Sequence, residues 1–274
     1  MDGVFPVLLG IDLDAEALWE GKDPTNAQRP VLLSNGAFAV REGLEPLLEL
    51  LQSHAIRTTF FVPGITCDRY PESVRAIVKA GHELGSHGYH HKPISPAMSL
   101  KEEEEELVRG IDCLRAITRQ HPTAWRSPSW EWSSGTLDLL LSNGITVSTS
   151  FHDRIRPYRH ERGGNAVDVV ELPVQWHLAD APFFLYGGQV GRTIRTAAAA
   201  REVWEEEFAA LYDRLGAFYN LTLHVQLIGH PGRLRMLDQH IAFIKRHPRA
   251  RFMTCGEIAA TVPWPAEAPG SKSE

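Results

Sequence analysis

Two patterns alternate along the chain. Short apolar or β-branched runs at residues 7–13, 58–62, 83–87, 123–126, 145–149, 169–172, 221–228 and 251–254 have the length and composition of buried strands. Between them, stretches of helical period at 43–55, 71–80, 100–119, 134–141, 197–218, 234–246 and 257–261 each offer an apolar face. Local punctuation agrees with these assignments. Pro46 falls in a first helical turn, Pro63-Gly64 ends a strand, and Gly81 follows a helix where a left-handed residue is favoured. Ser99 and Glu102 form a capping box ahead of the stripe Leu100, Leu107, Ile111, Leu114 and Ile117. The run KEEEEE at 101–106 reads as a solvated face that suits the positive end of its helix. The clearest strand is 221–228, LTLHVQLI.

Strands alternating with helices imply a parallel sheet with helical crossovers. Carried through residues 1–262 without a linker, the rhythm points to a single-domain (β/α) barrel, with a doubly wound open sheet as the alternative. No glycine-rich phosphate fingerprint follows a strand, which counts against a dinucleotide fold. Residues 263–274, rich in Pro, Ala and Ser, read as a flexible C-terminal tail.

Composition narrows the function classes. With 43% hydrophobic and 23% charged residues among 274, the chain can build an ordinary globular core. A net charge of −6 argues against a nucleic-acid binder. Cys67, Cys113 and Cys255 are scattered and odd in number, so no disulfide framework is expected. The apolar run at 4–11 is too short to span a membrane and leads into Asp12 and Asp14, not into a cleavage site. A cytoplasmic protein with no membrane partner is the expectation. The odd entry is 13 histidines against 4 methionines.

Chemistry in such a barrel gathers at the C-terminal ends of the strands. Those ends carry Asp12-Leu13-Asp14, His87-Gly88-Tyr89-His90-His91, Arg126-Ser127-Pro128-Ser129-Trp130 and Gly229-His230-Pro231. Asp12 and Asp14, two apart on a strand, point to one face, and a cation beside them would relieve their repulsion. His87 and His91, four apart, could reach one ion from a helical turn, with His90 as a substitute for His91. Two histidines and a carboxylate leave open positions, as in catalytic zinc sites. His230 either caps its strand or stands as a general acid beside an activated water. The other histidines, His224 among them, read as surface or core residues, and His82 as structural.

This ordered set resembles that of the polysaccharide deacetylases, carbohydrate esterase family four. Asp12-x-Asp14, His87-x-x-x-His91, Arg126-x-Pro128 and the late His230 follow the family's order over about residues 5–262. The segments GIDLDAE, TTFFVPG, AGHELGSHGYHH and SPSWEWS look closest to its cytoplasmic branch of peptidoglycan-deacetylase-like and allantoinase-like proteins. The resemblance implies a distorted (β/α)7 TIM-like barrel and a homo-oligomer, a tetramer. It implies a divalent metal, zinc first, on Asp14, His87 and His91. Asp12 would be the general base, Arg126 its orienting partner and His230 the general acid. Two departures bear on pocket shape: Ser129 stands where the family often has an aromatic residue, and Gly229 precedes His230.

The expected reaction is hydrolysis of a non-peptide carbon–nitrogen bond, with an oxyanion helped by a backbone N–H near Ser129. Trp130, Trp132, Asp153 and Tyr158 either wall the pocket or pack as ordinary core and loop. A small-molecule substrate, such as a cyclic amide, an imide or an N-acyl compound, is expected first. The alternatives are an N-acetylated sugar or peptidoglycan fragment, and a binding protein that has lost catalysis. The apolar Phe183-Phe184-Leu185-Tyr186 suits an oligomer interface or the core.

Overall fold

In the computed structural model, which describes residues 3–186 and 194–263, β1 (Phe5–Asp12) is the axis of a single curled sheet. Its sequence FPVLLGID is almost continuously apolar, as a strand covered on both faces must be. Alternate residues serve two cores. Val7, Leu9 and Ile11 face outward and pack with Leu47, Leu237 and Trp204 of the surrounding helices. Leu8 faces inward and packs with Phe61, Ala124, Val147 and Val170. Gly10 and Asp12 follow Leu8 in that inward row.

Along one edge β1 pairs in parallel with β8 (Tyr219–His224), from Val7↔Tyr219 to Asp12↔His224. The other edge is shared. β2 (Thr59–Val62) takes the half from Gly10 to Asp12, and β9 (Ala250–Phe252) takes Phe5 to Val7. Beyond β2 the ladder continues in parallel through β3 (Glu83–Ser86), β4 (Ala124–Trp125), β5 (Val147–Ser148) and β7 (Asn165–Glu171). β6 (Tyr158–Arg162) pairs antiparallel with β7 as an outer hairpin. From β1 through β5 to β7 the parallel strands follow chain order round the sheet, and β8 returns to the far side of β1. A doubly wound sheet would reverse direction at a switch point, so the barrel expectation holds.

The ring is not closed by a ladder. β8 and β7 are the ends of the parallel path, and a side chain spans the gap between them. The buried Asn220 shares its Nδ2 hydrogens among Thr149 Oγ1 at 3.1 Å, Leu172 O at 3.2 Å and Pro173 O at 3.0 Å. A single parallel bridge, Ala179↔Thr222, continues the contact.

Most expected elements are present, among them the capped helix Leu100–Thr118 and the helices Pro71–Lys79 and Pro231–Lys245. Three differ. The helix expected over 197–218 stops at Tyr212, and β6 was not foreseen. The run at 221–228 is two elements: the strand ends at His224, and Val225–Ile228 is a buried helical turn. Apolar composition is the same for a buried strand and a buried turn of helix, so periodicity does not mark the boundary. Of the suspected interface run, Phe184 and Leu185 are buried and Phe183 packs edge-on to Trp204; Tyr186 is exposed. Residues 187–193 and the expected tail at 264–274 lie outside the described residues. No helix of the described residues is long and apolar enough to cross a membrane.

Asn220→Ala should reduce stability by about 1–3 kcal/mol, because it strands the buried carbonyls of Leu172 and Pro173. Denaturant unfolding measures this, and an unchanged midpoint would show that the seam does not depend on the amide.

Candidate active site

The inward row of β1 meets a guanidinium. Arg126, directly after β4, is fully buried and reaches across the barrel, its head over the Phe61 ring at 4.2 Å. Its Nη1 donates to Asp12 Oδ1 at 2.6 Å and, more weakly, to Gly10 O at 3.4 Å, while Nη2 donates to Thr149 Oγ1 at 3.4 Å. A charge this deep must be paired, and Asp12 is its carboxylate. Gly10 makes the approach possible: a Cβ there would lie 2.3 Å from Arg126 Nη2. Burial pushes the Asp12 carboxyl up to about 6, against the pull of Arg126 and His224.

Above this pair, Asp14, His87 and His91 each aim one ligand atom at a common point, the three atoms all within 4.8 Å of one another. The two histidines do not sit on a helical turn as expected. Residues 87–91 are irregular, and His91 lies in the left-handed region at φ 58°. His87 Nδ1 is 2.7 Å from Arg126 O; a carbonyl can only accept, so Nδ1 carries the proton and Nε2 presents a lone pair. That Nε2 is 3.6 Å from Asp14 Oδ1, and His91 Nε2 is 3.8 Å from the same oxygen. Burial holds the His87 imidazole far below its usual pKa and brings His91 down to about 3, so both rings are neutral at pH 7, the form that can bind a metal. Asp14 Oδ1 is buried without a hydrogen-bond partner, while Gln226 Nε2 donates to Asp14 Oδ2 at 3.3 Å.

These residues fit a divalent cation. The spacings of 3.6 and 3.8 Å are too long for hydrogen bonds and suit ligand atoms each about 2 Å from one ion. The orphaned Asp14 oxygen is the atom such an ion would satisfy. Two imidazoles and a carboxylate are the donors of an open, catalytic site.

The opposite wall is His224, the last residue of β8. Asp180 is fully buried and holds it twice, accepting from its backbone N–H at 2.8 Å and from Nδ1 at 2.7 Å. Nε2 therefore faces the carboxylates, 3.7 Å from Asp12 Oδ2 and 4.0 Å from Asp14 Oδ2. Burial works against its charge, but Asp180, Asp12 and Asp14 outweigh it and raise the pKa to about 9. A protonated, aimed imidazolium is a general acid in waiting.

This corrects the expectation for His230. Because the strand stops four residues before the apolar run does, His230 instead stands at the N-cap position of the helix Pro231–Lys245 and stacks on Phe38 at 4.0 Å. It is neither among the partners of Asp12 or Asp14 nor in the cavity lining. His224, Asp180 and Gln226 were missed, and the alternation of Asn220, Thr222 and His224 against Tyr219, Leu221 and Leu223 is the signal that marks His224 as inward-facing.

Asp12, His87, His91 and His224 open into a cavity of about 170 Å³, walled by Ser129, Trp130 and Trp176. Ser129 and Trp130 are both left-handed, at φ 61° and 63°, and the Trp130 ring meets Trp176 at 4.4 Å. Strained backbone of this kind persists where surrounding structure fixes it, often beside functional sites. Asp153 and Tyr158 are not part of this wall. They hydrogen-bond to each other at 3.1 Å and line a separate, open recess with His152 and Gln175, because the chain after β5 swings outward before the β6 hairpin. Trp132 packs against Trp125 and His160.

Comparison with known proteins adds context to this geometry. The family model for polysaccharide deacetylase matches residues 32–148. A peptidoglycan deacetylase from Helicobacter pylori is 30% identical, the match covering 92% of this chain and 94% of that protein. A crystal structure from Mycobacterium smegmatis, assigned to the polysaccharide deacetylases, is 33% identical with a TM-score of 0.90, over 98% of this chain and 96% of that one. The structure of Puue allantoinase shares the fold at 22% identity and a TM-score of 0.83, over 95% and 92%.

Gly10→Ala should drive the Arg126 head from its seat and reduce stability by about 1–3 kcal/mol, as overpacking does. Bound metal, measured by elemental analysis, should be retained, because Asp14, His87 and His91 are untouched. A variant as stable as the parent in denaturant would show that the guanidinium does not need the vacant Cβ position.

Proposed function

Since this chain belongs to the polysaccharide deacetylase family, we propose that it removes the acetyl group from an N-acetylated sugar or peptidoglycan fragment, as a metal-dependent hydrolase. The observation that carries the reading is one cavity lined by a buried carboxylate paired with arginine, a cluster fit for a metal and an imidazolium held by its own aspartate. The small cyclic amide expected first from the sequence gives way to the sugar. The relative that spans nearly the full length at 30% identity is a peptidoglycan deacetylase, whereas the likeness to an allantoinase at 22% speaks to fold.

A divalent cation on Asp14, His87 and His91, zinc by the donor set, would polarise the acetamide carbonyl and lower the pKa of an attacking water toward about 7. Asp12 takes the proton from that water as its oxygen bonds to the carbonyl carbon. Arg126 keeps the Asp12 carboxylate ionised at the start of the reaction and fixes the direction of Oδ2. His224 then passes its Nε2 proton to the nitrogen as the carbon–nitrogen bond breaks, giving acetate and a free amine. Without that proton the amine is a very poor leaving group. Asp180 restores the imidazolium by holding Nδ1–H and favouring the charged ring. The cavity of about 170 Å³, bounded by the described residues, is smaller than pockets for drug-sized ligands and suits the acetamido group with the ring that bears it.

Acetate release tests the reading, with N-acetylglucosamine oligomers and peptidoglycan fragments set against allantoin. Release from the glycans is expected, with Asp12→Asn losing at least about a hundredfold in kcat while keeping its metal. Ring opening of allantoin without acetate from any glycan would overturn it. The pH profile should be bell-shaped, rising as Asp12 loses its proton and falling as His224 loses its own. Asp180→Asn removes the largest influence that raises His224, so the alkaline limb should move to lower pH while the acid limb stays. Movement of both limbs together would contradict the assignment of His224 as the acid.

A further inference from the structure

The segment that carries His91 has no regular structure of its own to hold it. Residues 87–91 make neither helix nor strand, and His91 takes a left-handed backbone. A ligand in that conformation must be fixed from outside, and the structure shows by what. Glu106 Oε2 accepts from the backbone N–H of His90 at 2.6 Å and of Tyr89 at 3.2 Å. Its Oε1 accepts from His90 Nδ1 at 2.6 Å, with Lys92 Nζ at 3.6 Å. One carboxylate thus binds the two residues immediately before His91 at three points and pairs with the one after it.

Glu106 belongs to the acidic run at 101–106 that reads in sequence as a solvated face. It is not solvated: its side chain is 13% exposed, against 61% for Glu105. The helix Leu100–Thr118 comes close enough because of Gly110, one turn further on, where a Cβ would lie 2.5 Å from Gly88 O. Gly110 and Glu106, four apart, lie on one helix face. One admits the loop against the helix, and the other ties it down.

We infer that Glu106 is a positioning residue for the metal site, clamping the Tyr89-His90 backbone so that His91 Nε2 faces Asp14, and that His90 serves this clamp and is not itself a ligand. His90 Nδ1 is engaged by Glu106, and the cluster that can share an ion is Asp14, His87 and His91. Outer contacts of this kind govern how well a site holds its ion. The inference rests on the reading that these three residues bind a divalent cation.

The test is zinc affinity of the full chain, measured by competition with a chromophoric chelator, and the absorption spectrum of the cobalt-substituted protein. Glu106→Ala should weaken zinc binding about 10–100-fold and alter the cobalt spectrum. Glu106→Asp keeps the charge but withdraws the carboxylate by one methylene, and it too should bind zinc at least about tenfold more weakly. Glu105→Gln, which removes one charge from the same run, should bind like the parent. Saturating zinc should restore most of the turnover of both Glu106 variants. Parent-like affinity and cobalt spectrum in Glu106→Asp, or a lowered melting temperature of the metal-free protein with affinity unchanged, would overturn the clamp. If Glu106→Ala does not fold, the aspartate variant decides. A parent that binds no zinc through Asp14, His87 and His91 would instead sink the metal reading beneath it.

Discussion

A guanidinium with no solvent exposure sits at the centre of the barrel, and much of the architecture follows from accommodating it. Arg126 needs a carboxylate, which fixes an aspartate at position 12, and it needs space, which fixes a glycine at position 10. Both lie in the inward row of β1, so the register of that strand is tied to the charge inside. A slip of one residue would turn Leu9 and Ile11 inward and drive Asp12 out among the helices. The Arg126 carbonyl also accepts from His87, so one residue orients a carboxylate with its side chain and a metal-type ligand with its backbone. The two halves of the chemistry are coupled through that single position.

Electrostatic roles are divided by strand. On the side of β1, β3 and β4, desolvation keeps His87 and His91 neutral. On the side of β8, three carboxylates overcome the same desolvation and charge His224. Histidines in a single cavity are therefore held neutral or charged without any difference in residue type. What separates them is the partner of Nδ1: a carbonyl for His87, a buried aspartate for His224.

The fold was largely legible in the sequence because it depends on spacing, which survives without coordinates. Alternating runs, capping box and breakers located most strands and helices, and the ends of β1, β3 and β4 named Asp12, Asp14, His87, His91 and Arg126. The proposed acid was not found. His224 stands inside an apolar run, and nothing in composition marks the point where a buried strand becomes a buried turn of helix. His230, at the end of the run, drew the assignment instead. Asp180 and Glu106 were illegible for a different reason: each acts by reaching a backbone amide or ring distant in sequence, and such contacts leave no spacing to read. Asp153 and Tyr158 failed because proximity in sequence to a strand end is not proximity to its mouth.

The seam at Asn220 has a mechanical meaning. From β7 round to β8 through β1 the ladder is continuous, but across the cut β8 is held by the Asn220 amide, the bridge Ala179↔Thr222 and the Asp180 carboxylate. A ring cut at one place has no hoop stiffness there, so any change of bore concentrates at the cut. The stretch beyond that cut carries Trp176 and Asp180, while Asp12, Asp14, His87, His91 and His224 all ride on the uncut arc. The barrel is thus a split collar: the residues that meet in the cavity share the continuous ladder, and the cut lies behind His224, where Asp180 holds it from the other side.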